Sequence, residues 1–145
     1  MFLSERFPEK WEARSSGKTA TMLSRFVRAP RTVGVATAIA EARERGATPH
    51  LLDGAEMVTS AAAFEAIARA LEFPEGFGHC LDALYDHLTD LSWLTPGEHV
   101  LIWSKPSLLR KSDATAYDGL GSALSDATTD GTKGDATLTV IMLDN

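Results

Sequence analysis

Two carboxylates stand one helical turn apart at Asp82 and Asp86. Tyr85 and Thr89 complete an i, i+3, i+4, i+7 set on one face of a helix that opens near Cys80. Such a face would offer a partner two negative charges, a phenol and a hydroxyl. The aspartates repel each other by about 0.2–0.5 kcal/mol in an isolated helix. A cation landing between them relieves that repulsion.

The same residues admit other readings. A solvated helix face has this composition. Asp82 and Asp86 offer two ligands to a metal ion, which needs more convergent donors. Cys80 with His87 raises a thiolate–imidazole pair, with His79 just before the helix. Two helical turns are about 10 Å along the axis, however, beyond hydrogen-bond reach. A lone Cys at a helix start is also more often a small packed hydrophobe. No phosphate-cradling Gly loop, zinc spacing or nucleophile elbow occurs. The expectation is no catalytic residue, no metal and no cofactor.

The elements that must position this face can be traced along the chain. Thr32–Ala36 predicts a short strand between breakers, and Thr37–Arg45 an alanine-rich helix stopped at Gly46. His50–Leu52 is a second strand, closed by Asp53-Gly54. Thr59 or Ser60 caps a helix in which Ala63, Phe64, Ile67, Ala68 and Leu71 recur at helical spacing, ended by Pro74. Gly76 and Gly78 then sharpen a loop. Leu81, Leu84 and Leu88 form the apolar stripe of the acidic helix. A buried strand at His99–Trp103, a helix over Asp113–Thr129 and a last strand at Ala136–Leu143 follow. Alternating strands and helices predict an α/β domain with a small, mainly parallel sheet.

The chain has 145 residues, room for one domain and a tail. We divide it into a basic extension over residues 1–30, at most partly ordered, and a domain over 31–145. Within the extension Met22–Val27 can form a helical turn, and Trp11 reads as an anchor onto the domain. One cysteine excludes a disulfide framework. No apolar run approaches the roughly 18 residues of a membrane span, and Glu5, Glu9 and Lys10 stand where a leader would be apolar. A soluble, cytoplasmic protein is expected. Charge is split unevenly. Residues 1–49 hold nine Lys/Arg against five acids, and residues 50–145 hold five against fifteen. A net charge of −10 over the second part repels phosphate, which argues against direct nucleic-acid binding, and attracts a basic partner.

At Phe73-Pro74-Glu75-Gly76-Phe77-Gly78 and Leu81-Asp82-Ala83-Leu84-Tyr85-Asp86-His87-Leu88-Thr89 the chain resembles the barstar family of ribonuclease inhibitors. The likeness runs over about residues 48–145. Residues 32–47 look like the extra strand and helix of longer, actinobacterial-type members. The resemblance implies a barstar-like α/β fold and an inhibitor or immunity protein that plugs the active site of a basic extracellular ribonuclease or nuclease toxin. It implies a monomer forming a 1:1 complex, with acidic side chains standing in for RNA phosphates.

Transferred by position, Asp86 matches the acid in the phosphate pocket, Asp82 its neighbour, Thr89 the hydroxyl at the far end, and Tyr85 the family's aromatic position. Gly78 keeps the backbone approach open, and Leu81 begins the buried stripe. Asp126 matches a glutamate that pairs with a basic residue of the enzyme. Gly76, Phe77, His79 and Cys80 complete the expected binding set. Gly76 stands for the family's loop tyrosine, Cys80 for an asparagine and His79 for an acid; the first two remove an aromatic and a polar contact, which leaves both barnase and a different enzyme open as the target. An adaptor for a non-nuclease toxin on the same scaffold is the alternative. A small metal- or thiol-dependent enzyme using His79, Cys80, Asp82 and His87 is a further one.

Overall fold

The computed structural model describes residues 25–30 and 32–143. Four parallel strands form one sheet in the order β1-β4-β3-β2. They are β1 (Phe26–Arg28), β2 (Thr48–Asp53), β3 (Gly97–Ser104) and β4 (Ala136–Leu143). Among the described residues five helices connect them: α1 (Val35–Glu44), α2 (Ser60–Ala70), α3 (Leu81–Leu88), α4 (Pro106–Ser112) and α5 (Ala114–Asp130). A turn of 3-10 helix, Gly54–Glu56, follows β2.

The central strands are apolar on both sides because both sheet faces are covered. Val100 and Ile102 of β3, with Ile141 and Leu143 of β4, pack with Ala38 and Ala42 of α1. Their alternates Leu101, Trp103, Leu138, Val140 and Met142 face the larger core, where Phe64, Ile67, Leu84, Leu88, Leu120 and Leu124 bring in α2, α3 and α5. The acidic helix is thus held by Leu84 and Leu88, both fully buried.

The first strand is displaced from its predicted position. Val35 opens a helix, and the strand is Phe26–Arg28, paired with Val140–Met142. Arg25–Val27 are accordingly not a helical turn. Pro30, which has no N–H, follows the strand closely; its carbonyl accepts from Val33 N–H to turn the chain. Gly34 then takes the N-cap position, so the alanines that follow outweigh the β-branched Thr32, Val33 and Val35. Met22–Ser24 and Trp11 lie outside the described residues. β2 is longer than its predicted core and takes in Pro49, tolerated because β2 is an edge strand. Helix α4 has no counterpart among the predicted elements. Its seven residues are too few to show a period, and its one signal is Pro106 at the first turn.

Caps fix where the helices begin. Thr59 Oγ1 accepts from Ala62 N–H at 3.0 Å, and Asp113 Oδ1 from Ala116 N–H at 3.1 Å. Gly54 lies so close to the end of β3 that a Cβ there would fall 2.2 Å from the Lys105 carbonyl oxygen. The Asp53-Gly54 pair therefore marks a close backbone crossing as well as a turn.

Candidate partner-binding face

Helix α3 starts where Cys80 caps it, its Sγ accepting from Ala83 N–H at 3.5 Å. Asp82 and Asp86 project from the helix into solvent. Tyr85 between them is half-buried and reaches α5, where its hydroxyl donates to an oxygen of the Asp130 carboxylate. That bond, with burial and the charges of Asp130, Asp126 and Asp86, lifts the phenol above its ordinary range. Asp126, one turn before Asp130, is also exposed. Exposed acids of two helices thus flank one anchored phenol.

Two predicted site residues are placed differently. Thr89 is buried, 7% exposed, and its hydroxyl donates to the Tyr85 and Asp86 carbonyls. Its own carbonyl accepts from Lys133 N–H, so the segment before β4 closes over it. The face shows two carboxylates and a phenol, not a fourth polar group. Leu81 is 42% exposed and does not belong to the buried stripe. It lies in the first turn, beyond the core that covers Leu84 and Leu88, against Gly119 of α5, where an added Cβ would come within 2.9 Å. Leu81 and Cys80 line a cleft of about 310 Å³ with Ser60, Phe64, Asp113 and Ala116.

The loop before α3 is stiffened by aromatic packing. Phe77 meets Phe73 edge-on at 4.9 Å and Phe64 at 6.2 Å. His87 stacks on Phe73 at 4.9 Å and adjoins Phe77 and Trp93. Phe77 is therefore half-buried, whereas Gly76, Gly78, His79 and Cys80 are exposed, as are Pro74 and Glu75 before them. Gly76 has φ +92°, which a side chain would strain. Gly78 has no such constraint, and a Cβ there would meet only Ala83 at 3.9 Å. His79 Nε2 lies 3.4 Å from Glu65 Oε2, its ring against Phe64 and Phe77.

Cys80 and His87 have separate partners. The thiol is exposed and caps the helix, whereas His87 Nδ1 is 2.9 Å from the Ala83 carbonyl oxygen and its ring lies in the aromatic cluster. Among the described residues no group of three or more His, Cys, Asp or Glu is arranged to hold a metal ion, and no helix is long and apolar enough to cross a membrane. Asp130 was not among the predicted site residues. Its signal was available, since Asp126 and Asp130 repeat the i, i+4 spacing of Asp82 and Asp86.

A family model described as Barstar (barnase inhibitor) matches residues 47–142. The matched stretch takes in β2, β3, the loop, α3 and α5, and begins after β1 and α1. No curated protein matches the chain.

Proposed function

Because the chain belongs to the barstar family, we propose that it is a non-catalytic protein inhibitor of the immunity type. Its target is a basic ribonuclease or nuclease toxin, whose active-site cleft it fills with α3 and the loop before it. The carrying observation is the acidic face, in which Asp86 of α3 and Asp126 and Asp130 of α5 surround Tyr85, with Asp82 exposed one turn before Asp86. A cleft built to bind RNA phosphates presents Arg and Lys charges, and carboxylates satisfy them with strong charge-assisted hydrogen bonds. Gly76, Phe77, Gly78, His79, Cys80 and Leu81 form the flank of this surface. The inhibitor acts as a cytoplasmic monomer in a 1:1 complex. Gly76, His79 and Cys80 depart from the family's pattern, which supports a cognate enzyme distinct from barnase.

The test mixes the purified chain with the basic ribonuclease encoded beside it, and separately with barnase. Ribonuclease activity should fall at equimolar inhibitor, with a 1:1 complex on gel filtration. Undiminished activity and no complex with either enzyme would count against the reading.

A further inference from the structure

Two imidazoles meet end to end where β2 and β3 enter the sheet. His50 Nε2 and His99 Nδ1 are 2.9 Å apart. Both outer nitrogens are engaged as well. His50 Nδ1 lies 3.0 Å from the Ala70 carbonyl oxygen at the end of α2. His99 Nε2 lies 2.7 Å from the Thr95 carbonyl oxygen in the segment before β3. Carbonyl oxygens only accept, so each outer nitrogen must carry a proton, and the bond between the rings needs a third. Two neutral imidazoles hold only two. The geometry counts three protons on two rings, one positive charge shared between them.

We propose that His50 and His99 form a one-proton switch whose protonated state is the arrangement seen, and that losing the shared proton shifts the Thr95 segment. When the proton leaves, one of the three contacts must lose its hydrogen, and keeping the bond between the rings makes that an outer one. At the Ala70 end the facing group is a carbonyl, so a bare Nδ1 there would meet a lone pair. At the other end the Thr95 hydroxyl lies 3.5 Å from His99 Nε2 and can donate. The deprotonated pair therefore keeps His50 Nδ1–H on Ala70 and donates His99 Nδ1–H to His50. His99 Nε2 now accepts from the Thr95 hydroxyl.

That exchange advances the Thr95 hydroxyl and withdraws its carbonyl. His99 is 2% exposed, so water is a poor substitute for either partner. Residues 89–96, which join α3 to β3, also carry Trp93. Its indole N–H donates to the Leu71 carbonyl at 2.9 Å, and its ring lies on Phe73 and His87. The shift is felt beneath the loop that precedes α3.

The charges around the pair are few. Burial and the neighbouring His99 hold His50 below the ordinary imidazole range, while the hydrogen bond to Ala70 and the charge of Glu72, just beyond α2, act in the opposite sense. Arg69 is turned out to Glu56 and Glu65. Glu98 points to Arg45 on the other side of the sheet. β4 brings Leu138 beside His99, and Asp135 approaches through its carbonyl, bonded to Gly97 N–H.

The test follows the imidazole nitrogens of the full chain by NMR against pH. One coupled transition is expected, with one proton gained in total and His99 Nε2 changing from acceptor to N–H as pH falls. The Trp93 indole N–H shift should step at the same pH. Thr95→Val keeps the carbonyl and removes the hydroxyl that only the deprotonated state uses. It should raise the transition by about one pH unit, a tenfold gain in proton affinity. Two independent transitions, no proton uptake before acid unfolding, a flat Trp93 signal, or a folded Thr95→Val variant with an unmoved transition would each overturn the proposal. If the valine variant does not fold, the unaltered chain's nitrogen and Trp93 readings decide alone.

Discussion

The phenol of Tyr85 on α3 donates to the carboxylate of Asp130, the last residue of α5, and joins the two acidic helices at one polar point. The bond is the largest cause of the raised Tyr85 pKa, followed by burial and the neighbouring carboxylates. An unfolded tyrosine ionises near 10, before the folded one does. Above that value the unfolded chain has lost a proton the folded chain keeps. The stabilisation is complete below about pH 10 and is lost as pH rises through the folded value. Ultraviolet titration in a Tyr117→Phe background, which leaves one tyrosine, should show Asp130→Asn lowering the Tyr85 transition. An unmoved transition would mean that the bond is not formed in solution.

Gly54→Ala should destabilise the fold without touching the acidic face. Its Cβ would fall 2.2 and 2.3 Å from two backbone oxygens, those of Lys105 and Ser104, neither of which can rotate away as a side chain would. Overpacking of this kind costs roughly 1–3 kcal/mol. For a domain of this size that is a drop of several degrees in Tm, measurable by thermal unfolding. Gly78→Ala, with only Ala83 at 3.9 Å, should fold normally.

At the sheet's other face Glu98 accepts from Arg45 Nε at 3.0 Å and from its terminal nitrogen at 2.9 Å, with the Thr139 hydroxyl as a further donor. Burial pushes the carboxyl up. The Arg45 and Thr139 hydrogen bonds and the charges of Arg45 and Arg25 outweigh it, so the pKa lies below 4.5. A depressed carboxyl stabilises the fold above its unfolded value, and that contribution fades as pH falls through the folded one. Arg45→Ala should therefore cost about 1 kcal/mol at pH 7 and less under acid. Denaturant unfolding at several pH values checks it; an equal cost at all of them would remove Glu98 from the account.

How far the sequence carries depends on the length and periodicity of each element. Leu84 and Leu88 show the buried side of α3, and Asp82 with Asp86 its exposed side, because both pairs repeat at the helical period. Thr89 shares that period, yet it stands at the end of the helix, where its own backbone and the approach of Lys133 bury it. Leu81 fails at the opposite end, where the core no longer reaches. β1 spans three residues, too short for an alternation to be seen. The i, i+4 spacing of Asp126 and Asp130 marks both as candidates, and the choice of Asp130 as the acid that meets Tyr85 is set by how α3 and α5 pack.

Asp86→Ala separates binding from folding. The side chain is exposed, and its removal relieves the repulsion from Asp82 by about 0.2–0.5 kcal/mol and installs a better helix former. Thermal unfolding should be unchanged or slightly raised. In the proposed complex with a basic nuclease the same change would strand a desolvated cation of the enzyme, and truncating one member of such a pair costs about 2–5 kcal/mol. Affinity should fall by roughly 30-fold to several thousandfold, mainly through faster dissociation. Tyr85→Ala and Asp126→Ala should cost less, since the phenol is anchored on Asp130 and Asp126 lies on the flanking helix. Salt supplies an independent reading, because association steered by an excess of carboxylates slows once the screening length drops below about 8 Å, while dissociation changes less. Stopped-flow association and surface-binding dissociation rates give both numbers. Normal binding by Asp86→Ala would take α3 out of the inhibitory surface, and an association rate flat in salt would leave the −10 charge of residues 50–145 as a solubility device only.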